Sequence, residues 1–120
     1  MNILVCVKQV PDTTEIKIDP VTNTLIRNGV PSIVNPFDGY ALEAAARIKD
    51  KHPDTRIIVL SMGPEQAKNA LKECLGIAAD KAYLISGRAF GGSDTLATSY
   101  ILSCAIKKVA ELEGGFDAIF

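Results

Sequence analysis

A chain of 120 residues that is 48% hydrophobic is long enough for one globular domain or a piece of a larger one, and its composition excludes a disordered or low-complexity polypeptide. Thirteen basic against 14 acidic residues leave a net charge of −1 with no block of like charge, so the electrostatic footprint of a nucleic-acid or anionic-membrane binder is absent from the sequence.

In chain order, "MNILVCVKQV" has no basic n-region and reaches Lys8 after a short apolar run. It predicts a first strand over 2–7 rather than a signal peptide or a membrane span. In "DTTEIKIDPVTNTLIRNG", Ile16 and Ile18 alternate with polar residues before the turn formers Asp19, Pro20 and Asn23, predicting a β-hairpin excursion over about 14–28 at the edge of the sheet. "IVNPFDGYALEAAARIKDK" then turns into a first helix that His52-Pro53 closes. Phe37, Ala41, Ala44, Ala45 and Ile48 form its expected inner stripe, with Phe37 as the first core anchor, and Glu43 and Arg47 pair on the opposite face. "RIIVLSM" (56–62) and "KAYLIS" (81–86) are apolar runs of the kind buried on both faces of a parallel sheet.

Between those runs, "GPEQAKNALKECLG" predicts a second helix with Pro64 at its first position, a stripe of Ala67, Ala70, Leu71, Cys74 and Leu75, and Gly76 as its stop. The third helix is expected from near Asp94 to about Glu113, with Leu102, Ala105, Ile106, Val109 and Leu112 inward and Gly114-Gly115 as terminator. "FDAIF" (116–120) begins a further strand with no helix after it, which is the pattern expected of a truncated chain or a fragment. The order describes a doubly wound α/β sheet with right-handed crossovers over 1–120, the N-terminal part of a single domain.

In such a sheet, ligands bind beyond the carboxyl ends of the strands, where strand order reverses. The candidates are therefore Cys6-Val7-Lys8, Asn35-Pro36-Phe37-Asp38, Ser61-Met62-Gly63-Pro64 and the glycine-rich "SGRAFGGSDT" (86–95). Three of these lead into helix N-termini, whose free N–H groups suit phosphate, ribose or carbonyl oxygens. The glycine loop has neither the P-loop nor the G-x-G-x-x-G order. It reads either as a flexible turn with Ser93 or Asp94 capping the third helix, or as a loop where Asp94, Thr95 and Thr98 bond a polar ligand. The tetrad is equally two-sided. Asn35 as cap, Pro36 at N1 and Asp38 against the dipole make a helix start, while Asn35 and the N–H groups of Phe37 and Asp38 also suit a nucleotide.

His52, the single histidine, reads as a solvated surface residue, and no triad, paired-carboxylate, metal or nucleophile-elbow pattern is present in the sequence. No catalytic residue and no metal ligand is assigned. Cys6, Cys74 and Cys104 lack zinc or C-x-x-C spacing, so reduced, mostly buried thiols and a cytoplasmic setting are expected.

Together, "MNILVCVKQVPDTTEIKIDP", "NPFDGYALEAAARIKD", "VLSMGPEQAKNALKECLGIAADKAYLI" and "AFGGSDTLATS", in this order and spacing, closely resemble the N-terminal part of the β subunit of electron transfer flavoprotein. The likeness is strongest to the β subunits of anaerobic bacteria, among which an electron-bifurcating type occurs. The resemblance implies a Rossmann-like, three-layer fold of the adenine nucleotide α-hydrolase kind, and a heterodimer with a larger α subunit that carries the redox-active FAD. The β subunit of the family holds AMP or, in bifurcating members, the ADP part of a second FAD that takes hydride from NADH. Acyl-CoA dehydrogenases or ferredoxins are the usual redox partners. The nucleotide-binding positions carry over onto Cys6, Asn35, Pro36, Phe37, Asp38 and Met62, and the flavin-end contacts onto Asp94, Thr95 and Thr98. The chain departs from the family in stopping near the middle of the subunit, before its main phosphate-binding loop and its partner-docking loop. The alternative function is a non-catalytic nucleotide-binding structural or regulatory module.

Overall fold

The computed structural model describes residues 1–12, 17–26 and 31–120. Four parallel strands form the central sheet: β1 (Asn2–Cys6), β4 (Arg56–Met62), β5 (Lys81–Ile85) and β6 (Ala118–Ile119), in the order β5-β4-β1-β6. β1 runs in register with β4 from Asn2 opposite Arg56 to Cys6 opposite Leu60. β4 runs in turn with β5, ending at Met62 opposite Ile85. The apolar runs form strands because both of their faces are covered. Ile3, Leu4 and Val5 and then Ile57, Ile58, Val59 and Leu60 are all fully buried, each side chain contributing about 1.5–3 kcal/mol relative to exposure.

The strand pleat sends alternate residues to two separate cores. Ile3, Val5, Ile57 and Val59 meet α1 (Pro36–Lys51) and α2 (Lys68–Ile77) through Leu42, Ala45, Leu71 and Cys74. Leu4, Ile58 and Leu60 meet α3 (Thr95–Glu113) through Val109, Leu102, Ala105 and Ile106. The result is the expected three-layer, doubly wound, Rossmann-like α/β architecture.

A separate two-stranded antiparallel sheet, β2 (Gln9–Pro11) against β3 (Ser32–Val34), lies between β1 and α1 in the chain and forms the base of the excursion. Beyond it, Ile18 and Leu25 form a single antiparallel bridge. Asp19 Oδ1 accepts the Val21 and Thr22 N–H groups at 2.8 and 3.3 Å in the intervening turn. Much of the hairpin expected over about 14–28 falls on 13–16 and 27–30, outside the described residues.

The inner faces of the helices keep most of the expected stripes and depart from them at single positions. In α1 the buried positions are Leu42 and Ala45, whereas Phe37 is 77% exposed and stacks edge-to-face on Tyr40 with ring centroids 6.2 Å apart. Phe37 is therefore not a core anchor. At 3.6 residues per turn it lies about 140° round the helix from Leu42, and Ala44 is likewise turned outward. Ala41, Ala45 and Ile48 of the expected stripe pack against the core with Leu42, and the half-buried Asp38 and Lys49 flank them, so the inner face is apolar in the middle and charged at both ends. α3 repeats the pattern: Leu112 is exposed, and Glu113 occupies the inner position at the end of the stripe.

The Glu113 side chain is 3% exposed and accepts from Arg56 Nη2 at 2.9 Å, from Lys81 Nζ at 2.6 Å and from the Tyr83 hydroxyl. Hydrogen bonds from Lys81 and Tyr83, with help from Arg56, hold its carboxyl down at about 2.

Three smaller corrections follow from local geometry. Gly76 does not stop α2, which runs on to Ile77 and ends where the Ala78 N–H bonds the Cys74 carbonyl at 3.0 Å. Pro64 precedes a 3-10 turn at Glu65–Ala67 rather than opening α2 itself. Within α2, Leu75 is exposed. By contrast, Gly114 and Gly115, at φ +85° and +93°, end α3 in the left-handed region that glycine adopts without strain. Of the free cysteines, Cys74 is buried, with its thiol pushed up to about 11 first by burial and then by Glu73, whereas Cys6 is half-buried and Cys104 is exposed.

A candidate nucleotide cleft at the carboxyl ends of the strands

The chain leaves β1 toward β4 and β5 in one direction and returns through β6 on the other side of β1, so strand order reverses at β1. A cleft of about 730 Å³ opens over the carboxyl ends of β1, β4 and β5, within the roughly 300–1,000 Å³ range of small-molecule sites. Its β1 wall is Cys6, Val7 and Lys8, facing Asp38 from α1. Its floor is Leu60, Met62, Gly63, Pro64 and Glu65, following β4. The far wall is the loop after β5, from Ser86 to Ser93, backed by Thr98 and Leu102 of α3.

Hydrogen bonds across the β1 exit fix that wall. The Lys8 N–H donates to Asp38 Oδ2 at 2.7 Å, and the Asn35 N–H donates to the Lys8 carbonyl at 2.8 Å. Asn35 caps α1, its Oδ1 accepting the Phe37 N–H at 3.0 Å. Cys6 points a thiol into this environment, and burial first, then the nearby Asp38 charge, pushes its pKa up. The thiol is thus a neutral, soft contact rather than a nucleophile.

The loop on the far wall is braced from within. The Phe90 N–H bonds the Gly87 carbonyl at 3.1 Å, the Gly91 N–H bonds the Arg88 carbonyl at 3.2 Å, and Ser93 Oγ donates to the Phe90 carbonyl at 2.8 Å. A Cβ at Gly87 would lie 3.2 Å from the Phe90 ring, a tight contact that a side chain there would relieve only by shifting the ring. Gly92 takes φ +74°, a conformation that glycine adopts freely. Asp94 caps α3, its Oδ1 accepting the Ala97 N–H at 2.8 Å.

Of the residues singled out in the sequence, the cleft brings together Cys6, Asp38, Met62 and Thr98. Asn35, Pro36 and Phe37 stand at the start of α1, and Asp94 and Thr95 at the start of α3, flanking the cleft rather than lining it. The Phe37 N–H is taken by its cap. The sequence reading passed over Arg88 and Glu65, which line the cleft with Lys8. Their signal lay in the strand-exit rule, which selects the loops but does not rank the charges on them. Among the described residues, no group of three His, Cys, Asp or Glu side chains is placed to hold a metal ion.

The electron transfer flavoprotein domain matches residues 22–120. The chain belongs to the electron transfer flavoprotein family. It is 63% identical over 114 residues to the electron transfer flavoprotein subunit beta of Megasphaera elsdenii, covering 95% of this chain and 42% of that protein. It is 62% identical over 113 residues to the caffeyl-CoA reductase–Etf complex subunit CarD of Acetobacterium woodii, covering 94% and 43%. With protein FixA of Azotobacter vinelandii it shares 55% identity over 111 residues, 92% of this chain and 39% of FixA. The chain therefore spans about two fifths of the length of these flavoprotein relatives, corresponding to their N-terminal part. Two of the three are named as subunits, and one of those as a subunit of a larger complex. No described helix of this flavoprotein domain is long and apolar enough to cross a membrane.

Proposed function

We propose that the chain supplies the nucleotide-binding part of an electron transfer flavoprotein β subunit, which holds an adenine nucleotide and works with a flavin-bearing α subunit. The observation that carries this reading is the cleft itself: a small-molecule-sized site at the strand-order reversal, in a chain of this family. Cys6, Asp38, Met62 and Thr98 line it, with the helix starts at Asn35, Pro36 and Phe37 and at Asp94 and Thr95 on its rim.

The ligand under this reading is AMP or the ADP part of FAD. A bound flavin supplies the redox chemistry, and the protein supplies binding, orientation and exclusion of water. Electrons then pass between NADH or a dehydrogenase and an acceptor, with an acyl-CoA dehydrogenase or a ferredoxin as the partner class. Under this reading no side chain of this chain needs to act as an acid or base. A cytoplasmic setting goes with this reading, because Cys6, Cys74 and Cys104 are free thiols.

The test is the flavin and nucleotide content of the complete polypeptide purified with its co-produced partner. Two FAD per heterodimer mark the electron-bifurcating form, and one FAD with one AMP marks the plain carrier. A preparation with no flavin, no adenine nucleotide and no partner overturns the reading.

A further inference from the structure

We infer that Asp38 is a positioning residue of the cleft: its carboxylate acts through the main chain of Lys8 and holds the exit of β1 against the start of α1, so that the two meet a ligand as one surface. This rests on the nucleotide reading above and deepens it, giving Asp38 a role there other than ligand contact. Asn35 is the N-cap of α1, which puts Pro36 at N1 and Asp38 at N3. In a capping box the N3 side chain reaches back to the N–H of the N-cap residue itself. Here that N–H goes elsewhere. It donates to the Lys8 carbonyl at 2.8 Å, and Asp38 Oδ2 accepts the Lys8 N–H at 2.7 Å instead. Lys8 is thus inserted into the box, with both of its main-chain groups bonded to the start of α1.

Among the described residues, these are the only hydrogen bonds that Lys8 makes. The sheet's own hold on the strand ends one residue earlier, where the Val7 N–H donates to the Leu60 carbonyl at 2.9 Å. Past Lys8 the chain leaves for β2 and β3 and returns only at Asn35. The carboxylate stands on a fixed base, because Leu42, one turn further along α1, is fully buried in the core that holds Ile3, Val5, Ile57 and Val59. Cys6, Val7, Lys8 and Asp38 all line the cleft, so a β1 exit that drifts from α1 costs a ligand the preformed wall it would meet. An oxygen that accepts the Lys8 N–H is what this role requires; ionisation strengthens the bond without changing its geometry. Asparagine keeps the oxygen and loses the charge, whereas alanine loses both.

The test uses the complete polypeptide with its partner subunit, stripped of nucleotide, and follows AMP and FAD binding by calorimetry and amide hydrogen exchange at Lys8 in wild type, Asp38→Asn and Asp38→Ala. Asp38→Ala is expected to weaken the nucleotide that wild type binds by roughly fivefold or more, the loss of a hydrogen bond to a charged group, and to speed exchange at Lys8 by about tenfold. Asp38→Asn is expected to keep Lys8 protected and to hold the affinity within about twofold of wild type, because the acceptor remains. Equal losses of affinity in the two variants make the charge itself a ligand contact and overturn the positioning role. Full affinity in Asp38→Ala overturns it too, as does unchanged exchange at Lys8 in that variant. If circular dichroism shows that Asp38→Ala does not fold, Asp38→Asn decides alone: affinity within about twofold supports the role and a larger loss overturns it. A wild type that binds neither AMP nor FAD defeats the nucleotide reading itself, and the positioning role with it.

Discussion

Asn35 is where the helix-capping and ligand-binding roles of the α1 start separate experimentally. Its Oδ1 accepts the Phe37 N–H at 3.0 Å, Pro36 at the next position has no N–H to satisfy, and the Gly39 N–H reaches the Asn35 carbonyl at 3.0 Å. Asn35→Ala releases one donor at an exposed helix start, so the cost is that of a lost cap, about 1 kcal/mol. For a domain of this size that is a drop of roughly 4 °C in Tm. Asn35→Asp keeps the acceptor and adds a negative charge at the positive end of the helix, a gain of about 0.3–1 kcal/mol opposed by Asp38 nearby. Its stability is expected within about 0.5 kcal/mol of wild type. Both variants lose the Nδ2 donor, the one side-chain group that the cap leaves for a ligand. Thermal melts of the nucleotide-free polypeptide, paired with AMP titration, are therefore expected to show alanine alone losing stability and both variants losing affinity. An aspartate variant that melts as low as alanine refutes the capping argument. Unchanged affinity in both variants refutes a nucleotide role for Asn35.

Two further outcomes test the packing. Leu42→Ala is expected to cost about 2–5 kcal/mol in urea denaturation, as large-to-small changes in a closed core do, whereas Phe37→Ala costs about 0.5 kcal/mol or less; the reverse order would restore Phe37 as the core anchor. The Glu113 carboxyl, held at about 2 against an ordinary 4.5, contributes stability that is complete above about pH 4.5 and lost as pH falls toward 2. The raised Lys81 pKa, with its Glu113 hydrogen bond as the largest cause, gives the mirror case, present below 10.5 and lost only as pH rises past its folded value. Denaturation midpoints followed from pH 7 to pH 2 are expected to fall more steeply for wild type than for Glu113→Gln, and parallel curves would refute the linkage.

The strands were legible because a residue buried on both faces must be apolar wherever it points, and 2–7, 56–62 and 81–86 are apolar throughout. The doubly wound α/β architecture then followed from alternation of strands with helices. The helix faces were less legible, for a physical reason: a search for apolar periodicity skips the charged residues that end the inner line. Asp38 and Lys49 in α1 and Glu113 in α3 sit on the buried side, and their neighbours Phe37 and Leu112, though apolar, do not. The site was partly legible in the same way. The strand-exit rule selected the loops that build the cleft, Cys6, Asp38 and Met62 among their residues, while Thr98 was named from the start of the third helix. The rule does not rank the charged residues on and beside those loops, so Arg88 and Glu65, which line the cleft, read as ordinary surface residues.

The distribution of bonded partners divides the sheet into two ends. Among the described residues, the ion pairs that join elements distant in sequence are Lys49 to Asp80, Arg56 to Glu113 and Lys81 to Glu113. All three lie where the strands begin: Arg56 opens β4, Lys81 opens β5, and Asp80 precedes it. Asn2, opening β1, adds bonds to the Glu113 and Gly115 carbonyls at 3.2 and 3.1 Å and donates its own N–H to Asp117 at 2.7 Å. Asp80 shows the bias in one residue, since burial raises its carboxyl but Lys49 and the Ile57 N–H more than reverse the effect and leave it lowered. The amino ends are thus closed by charges satisfied inside the chain. At the carboxyl ends the helix caps and the β1 exit are hydrogen-bonded, yet two carboxylates, two cations, a neutral thiol and a glycine-bearing loop line an open volume. A fold that stabilises itself at one end of its strands is free to leave the other end open, which is where the strand-order reversal puts the proposed nucleotide.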